Sequence, residues 1–157
     1  MPSTPKGFAV AVSIFSFFCL MSRIDFIVNN ILYGYGLQLS YVWANEYWTT
    51  YTCTFIAFSL AIGLIFWLSS GKTIRDLEIS IGLITTVNLL MIGGLADIMF
   101  YIFWSGGLPP NGVNWWWISW SHLFGIWTIS MQIHLFIMVF SIVLVLWTRI
   151  IPLPTEP

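Results

Sequence analysis

Charge is what this sequence has least of. Five Lys or Arg and six Asp or Glu make up 7% of its 157 residues, against 59% hydrophobic. A soluble domain carries about 25% charged residues, because a globule in water needs a solvated surface. A chain this poor in charge cannot cover such a surface, so lipid must take the place of water around most of it. The formal net charge of −1 leaves no basic field, which excludes nucleic acid as a partner. Cysteine is scarce as well. Cys19 and Cys53 both lie in apolar runs with no CxxC pairing, which excludes a redox motif or a zinc ribbon and leaves buried free thiols as the expectation.

What the chain has instead is long apolar segments. A membrane-spanning helix needs about 20 apolar residues, since the hydrocarbon core is about 30 Å thick and a helix rises 1.5 Å per residue. Four segments qualify: about Phe8 to Tyr33, about Tyr47 to Leu68, about Leu77 to Trp104, and about Trp115 to Thr148. Residues 1–157 thus read as a single all-α transmembrane domain, a four-helix bundle in a lipid bilayer. Lys6 before the apolar run Phe8 to Met21 imitates a signal peptide, but no small-x-small site closes that run, so it is expected to stay as the first span. Tyr33-Gly34-Tyr35-Gly36, Ser69-Ser70-Gly71-Lys72 and the run from Gly106 to Gly112 supply the breaks, and Pro152 and Pro154 stop the last helix.

Orientation follows from the basic residues. Lys6 precedes the first helix, Lys72 and Arg75 occupy the middle loop, and Arg149 closes the last helix, while the other two loops have no Lys or Arg. Basic residues stay on the cytoplasmic side, so both termini and the middle loop are expected there, with the cell membrane as the host. The tryptophans agree: Trp43, Trp48, Trp104, Trp115, Trp116, Trp117 and Trp120 fall at the outer boundary, Trp67 and Trp147 at the inner one. Indole favours the headgroup region because its ring is apolar and its N–H needs a partner.

Shifting the chain by 72 positions places Asp25 on Asp97, Gly34 on Gly106, Trp43 on Trp115 and Trp48 on Trp120. The halves would then be parallel helical-hairpin repeats about an axis along the membrane normal, with Asp25 and Asp97 equivalent and equally deep.

Ionisable groups in hydrocarbon cost about 2.5–3.5 kcal/mol each on insertion scales and persist where they face protein or water. Arg23, Asp25, Asp97, His122 and His134 stand out, with Asn29, Asn30 and Gln132 as neutral polar groups. Rise per residue places Arg23, Asp25, Asn29, Asp97 and His122 in the outer half of the membrane, and His134 about 18 Å deeper than His122. Ser22, Asp25, Asn29 and Tyr33 share one side of the first helix, and Gly93, Gly94, Asp97 and Tyr101 share one side of the third, where the glycines would admit another backbone. Ser119, His122, Ser130, His134 and Ser141 form a small and polar stripe expected to face the interior. Together these predict one polar site lined by Asp25, Asn29, Asp97 and His122, with Arg23 nearby. It would serve as a packing network, a small-molecule or proton site, or a metal site. Two carboxylates and an imidazole suit a transition metal, so Asp25, Asp97 and His122 are the metal candidates, at a spacing that matches no metal motif. Glu46 reads as an interfacial residue, and Asp76 and Glu78 complement the dipole of the third helix.

No catalytic constellation is complete: a Ser130–His134 pair would lack an orienting acid. The soluble parts are minimal and the outer rim is aromatic, which points to a non-catalytic subunit of a membrane complex with membrane-protein partners or copies of itself. A small membrane enzyme or ligand-binding protein using the acidic site is one alternative. An oligomeric transporter or channel is the other.

Overall fold

The computed structural model describes residues 4–36, 41–114 and 123–150, with backbone alone at 4–5, 33 and 41–45. They form α1 (Thr4–Gly34), α2 (Tyr41–Ser69), α3 (Ile74–Ile92), α4 (Leu95–Met99), a π-helical turn (Phe100–Trp104) and α5 (Ile129–Ile150), with no strand among the described residues. Three helices are long and apolar enough to cross a membrane, and a fourth span is completed if the broken pair Ile74–Ile92 and Leu95–Trp104 counts as one. The all-α architecture and these apolar spans fit a multi-pass membrane protein. Within an apolar 18-residue stretch of each of the three unbroken spans only 17–22% of the residues are buried, and large side chains such as Ile65 and Val145 are 65% and 59% exposed. Water does not tolerate apolar surface on that scale, whereas hydrocarbon does.

Local chemistry sets the helix ends. Tyr35 N–H donates to Ile31 O at 3.1 Å, and Gly36 takes the left-handed conformation (φ 62) that terminates α1. Thr73 and Asp76 build a reciprocal cap on α3: Asp76 N–H donates to Thr73 Oγ1 at 3.1 Å, and Thr73 N–H donates to Asp76 Oδ2 at 3.0 Å. This starts α3 at Ile74 rather than at Leu77. Arg75 and Glu78 pair at 3.2 Å on the exposed surface beside it.

The chain divides into two compact units, residues 1–37 with 93–138, and residues 38–92 with 139–157. In the second, α2 lies along α3 on a seam of small residues. Ser80 Oγ donates to Gly63 O at 2.7 Å, and Asn88 Nδ2 donates to Ser59 Oγ at 2.8 Å. Ser59 and Gly63 are four apart, the spacing that lets helix backbones approach in lipid. A Cβ on Gly63 would lie 2.6 Å from Ile84 Cγ1 and 3.1 Å from Ser80 O. Gly63→Val is therefore expected to lower thermal stability in detergent by about 1–3 kcal/mol, through overpacking; unchanged melting would contradict this packing. The far end of α5 packs on the same helix, with Trp147 Nε1 donating to Thr86 Oγ1 at 2.9 Å and Ile150 against Gly82. Cys53, expected to be buried, is exposed on α2.

In the first unit, α1 packs on α4 and the π-helical turn. Phe26 meets Phe100 edge-on at 5.6 Å, and Trp104 Nε1 donates to the fully buried Ser22 at 3.0 Å. The units do not follow the 72-residue halves: α1 groups with the second part of the broken helix, and α2 with the first part.

Two expected helices are interrupted. The third breaks at Gly93–Gly94, and the fourth breaks at Gly125, which takes φ 82, with the chain non-helical from there through Thr128 and helical again from Ile129. No single-helix rise therefore relates His122 to His134. Residues 115–122 and 151–157, which carry Trp115, Trp116, Trp117, Ser119, Trp120, His122, Pro152 and Pro154, lie outside the described residues, as do the side chains of Tyr33 and Trp43.

Candidate functional site

The most distinctive local structure is the break between α3 and α4. Gly94 adopts φ 74, ψ 29, a left-handed conformation open to glycine at little cost. It ends one helical ladder and starts another, with Ile98 N–H donating to Gly94 O at 3.0 Å. A break in an apolar span strands backbone carbonyls that no water can reach, so protein groups must satisfy them. Gln132, 1% exposed, does this for Gly93: its Nε2 donates to Gly93 O at 2.7 Å. Its Oε1 accepts Trp127 Nε1–H at 2.8 Å, and Trp127 N–H donates to Asn114 Oδ1 at 2.9 Å. One chain of hydrogen bonds thus runs from Asn114 through Trp127 and Gln132 to the break. Trp127 and Ile129 also form an apolar cluster with Tyr101, Ile133 and Leu135.

Asp97 sits in the first turn of α4. Its Oδ2 would be 3.4 Å from a Cβ on Gly94, so the carboxylate lies against the break. Asp25, on the inward face of α1, is within electrostatic range of Asp97, and both are half-buried. The two acids are therefore brought together, but on unlike backbones: Asp25 is in mid-helix, Asp97 just past a break.

The other expected site residues are placed differently. Arg23 is exposed, with its guanidinium 4.7 Å from the Trp104 ring centroid and 5.3 Å from that of Phe26. Asn29 and Asn30 are exposed on α1. His122 lies outside the described residues. Among the described residues no three of His, Cys, Asp and Glu come together as a metal site. His134 is exposed, with Nδ1 2.6 Å from Ser130 O, and Ser141 is exposed too. The expected inward stripe on the fourth helix is thus corrected at His134 and Ser141, while Ser130 is half-buried. Gln132, 200° around the helix from both Ser130 and His134, takes the interior because Gly93 needs a donor there. The glycine pair also acts differently from expectation: it admits a side-chain amide rather than a neighbouring backbone.

No family model matches the chain, and no curated protein or solved structure is detectably similar to it.

Proposed function

We propose that the chain is a small non-catalytic subunit of a membrane complex, its helices completed by those of other proteins. The observation that carries this reading is polar surface left open inside a span. Arg23, Asn29 and Asn30 fall within the apolar segment Lys6–Leu32, yet all are exposed. Such groups are costly against hydrocarbon and persist where protein covers them. Purified alone in detergent, the chain is expected to associate without fixed stoichiometry and to melt well below its temperature in its own membrane. A stable monomer with an activity of its own would contradict the proposal. The cytoplasmic position of both termini and the middle loop, in a cell membrane, belongs to the same proposal. Lys72→Cys should be labelled by an impermeant thiol reagent from the cytoplasmic face alone, and labelling from outside would reverse the orientation.

The acid pair favours a second reading. Asp25 and Asp97 beside a broken helix resemble, in kind, the way discontinuous helices present polar groups at transport and binding sites. Two carboxylates in apolar surroundings hold a proton or a cation between them to offset their repulsion. This reading covers both a small ligand-binding membrane protein and an oligomeric transporter. It predicts that Asp97→Asn abolishes cation- or proton-dependent signals, measured as binding in detergent or flux in liposomes, while leaving the fold intact. Full retention of both signals would set the reading aside.

A further inference from the structure

The exposed side of α1 has a regular composition. Ala9, Ser13, Ser16, Leu20, Arg23, Ile27, Asn30 and Gly34 are all exposed, and they follow one another at alternating steps of four and three along the whole helix. That spacing averages 3.5 residues, the period of a seam between helices that supercoil left-handedly. The opposite side has the same rhythm. Ile14, Phe18, Met21, Asp25, Val28 and Leu32 are buried or half-buried, and this is the face α1 uses within its own unit. α1 therefore has two packing seams, and among the described residues its own unit fills one.

The open seam differs from a lipid face. On α2 the large exposed side chains are Ile56, Leu60, Leu64, Ile65 and Leu68, the aliphatic surface that hydrocarbon accepts. The open seam of α1 has small or polar residues at six of its eight positions, flanked by exposed Phe15, Ile24 and Ile31. Helices in lipid associate through small residues that admit close approach and through polar groups, because no hydrophobic force draws apolar helices together there. Ser13 already bonds to its own helix, donating from Oγ to Ala9 O at 2.8 Å, which leaves its methylene side flat for packing.

Arg23 identifies the occupant. Among the described residues its guanidinium has ring contacts with Phe26 and Trp104 and no carboxylate. Asp25 is two positions away and projects to the opposite side of the helix. A guanidinium presents its N–H donors in a fork that matches a carboxylate. A second copy of this chain, paired in parallel along the same seam, would set Arg23 against Arg23 and repel. We infer that this face of α1 receives a transmembrane helix of a different protein, one with an Asp or Glu at the level of Arg23 and small residues along the contact. The inference rests on the subunit proposal and names the chemistry of the partner.

The test uses the full chain in its own membrane, with a photoreactive benzophenone side chain placed at Ser16 or at Asn30, and at Leu64 of α2 as the comparison site. Adducts from Ser16 and Asn30 are expected on one transmembrane segment of one other protein, with an Asp or Glu between the two points of attachment. Arg23→Glu should then reduce adduct yield by at least about tenfold, and Arg in place of the partner's acid should restore it. The reciprocal exchange separates loss of the contact from loss of the fold. Adducts with a second copy of this chain, with lipid alone, or with a segment that has no acid would overturn the inference. An assembly of fixed stoichiometry lacking Ser16 and Asn30 adducts would overturn it while leaving the subunit proposal standing. A chain found alone would overturn both.

Discussion

Gly94→Ala should be the most damaging single methyl group that can be added to this protein. Two independent costs coincide at this position. At φ 74 a side chain meets its own backbone, which costs about 1–2 kcal/mol. The added Cβ would also run into the Gln132 amide, 2.9 Å from Cδ and closer still to Nε2. Gln132 would have to withdraw, leaving Gly93 O unsatisfied in an apolar span, at a further cost of about 1–3 kcal/mol. The expected loss is about 3 kcal/mol, read as a lower midpoint in thermal or denaturant unfolding in detergent. Gly7→Ala is the matched control, because nothing lies within 4 Å of its Cβ position and its φ is ordinary. It should change stability by less than about 0.5 kcal/mol. Equal effects from the two substitutions would mean that α3 and α4 are not broken at Gly94.

Gln132→Leu is the second large effect. The substitution roughly keeps volume and apolar contact but removes both hydrogen-bonding groups at once. Gly93 O loses its donor at 2.7 Å and Trp127 Nε1 loses its acceptor at 2.8 Å. Each orphaned buried group costs about 1–3 kcal/mol, so the sum reaches about 2–6 kcal/mol. Trp127→Phe removes the indole donor, so part of the penalty should vanish when the two changes are combined. The double variant should be less destabilised than the sum of the single ones by about 1 kcal/mol or more. Strict additivity would show that Gln132 and Trp127 do not act together. Gln132→Glu refines the point: it keeps an acceptor for Trp127 and sets a carboxylate against the Gly93 carbonyl, so it should be no milder than Leu.

The spans were legible because membrane helices are written in composition. Charge-poor apolar runs bounded by Gly and Ser clusters located α1 and α2, and the observed helices extend a few residues beyond the expected ends. Thr73 three positions before Asp76 was a readable cap that would have placed the start of α3 correctly. Gly93-Gly94 was visible too, but a glycine pair in an apolar run has two meanings, close packing or a break. Only the position of Gln132 decides between them, and that amide comes from 39 residues along the chain. The same distance problem hid the role of Gln132. Periodicity ranks a helix face by its own polarity, and the Ser130–His134–Ser141 stripe is the more polar face of α5. What it cannot register is a carbonyl on another helix in want of a donor. The 72-residue internal similarity paired Asp25 with Asp97, but its halves are not the compact units. The alternating four and three rhythm of small and polar residues on α1 was in the sequence throughout. It became informative once the opposite face was seen to be occupied.

Native mass spectrometry of the protein released gently from its own membrane tests the central claim most directly. The account predicts this 157-residue chain within a larger particle of fixed stoichiometry that contains at least one other membrane protein. A lone chain, or a particle made of this chain only, would contradict it.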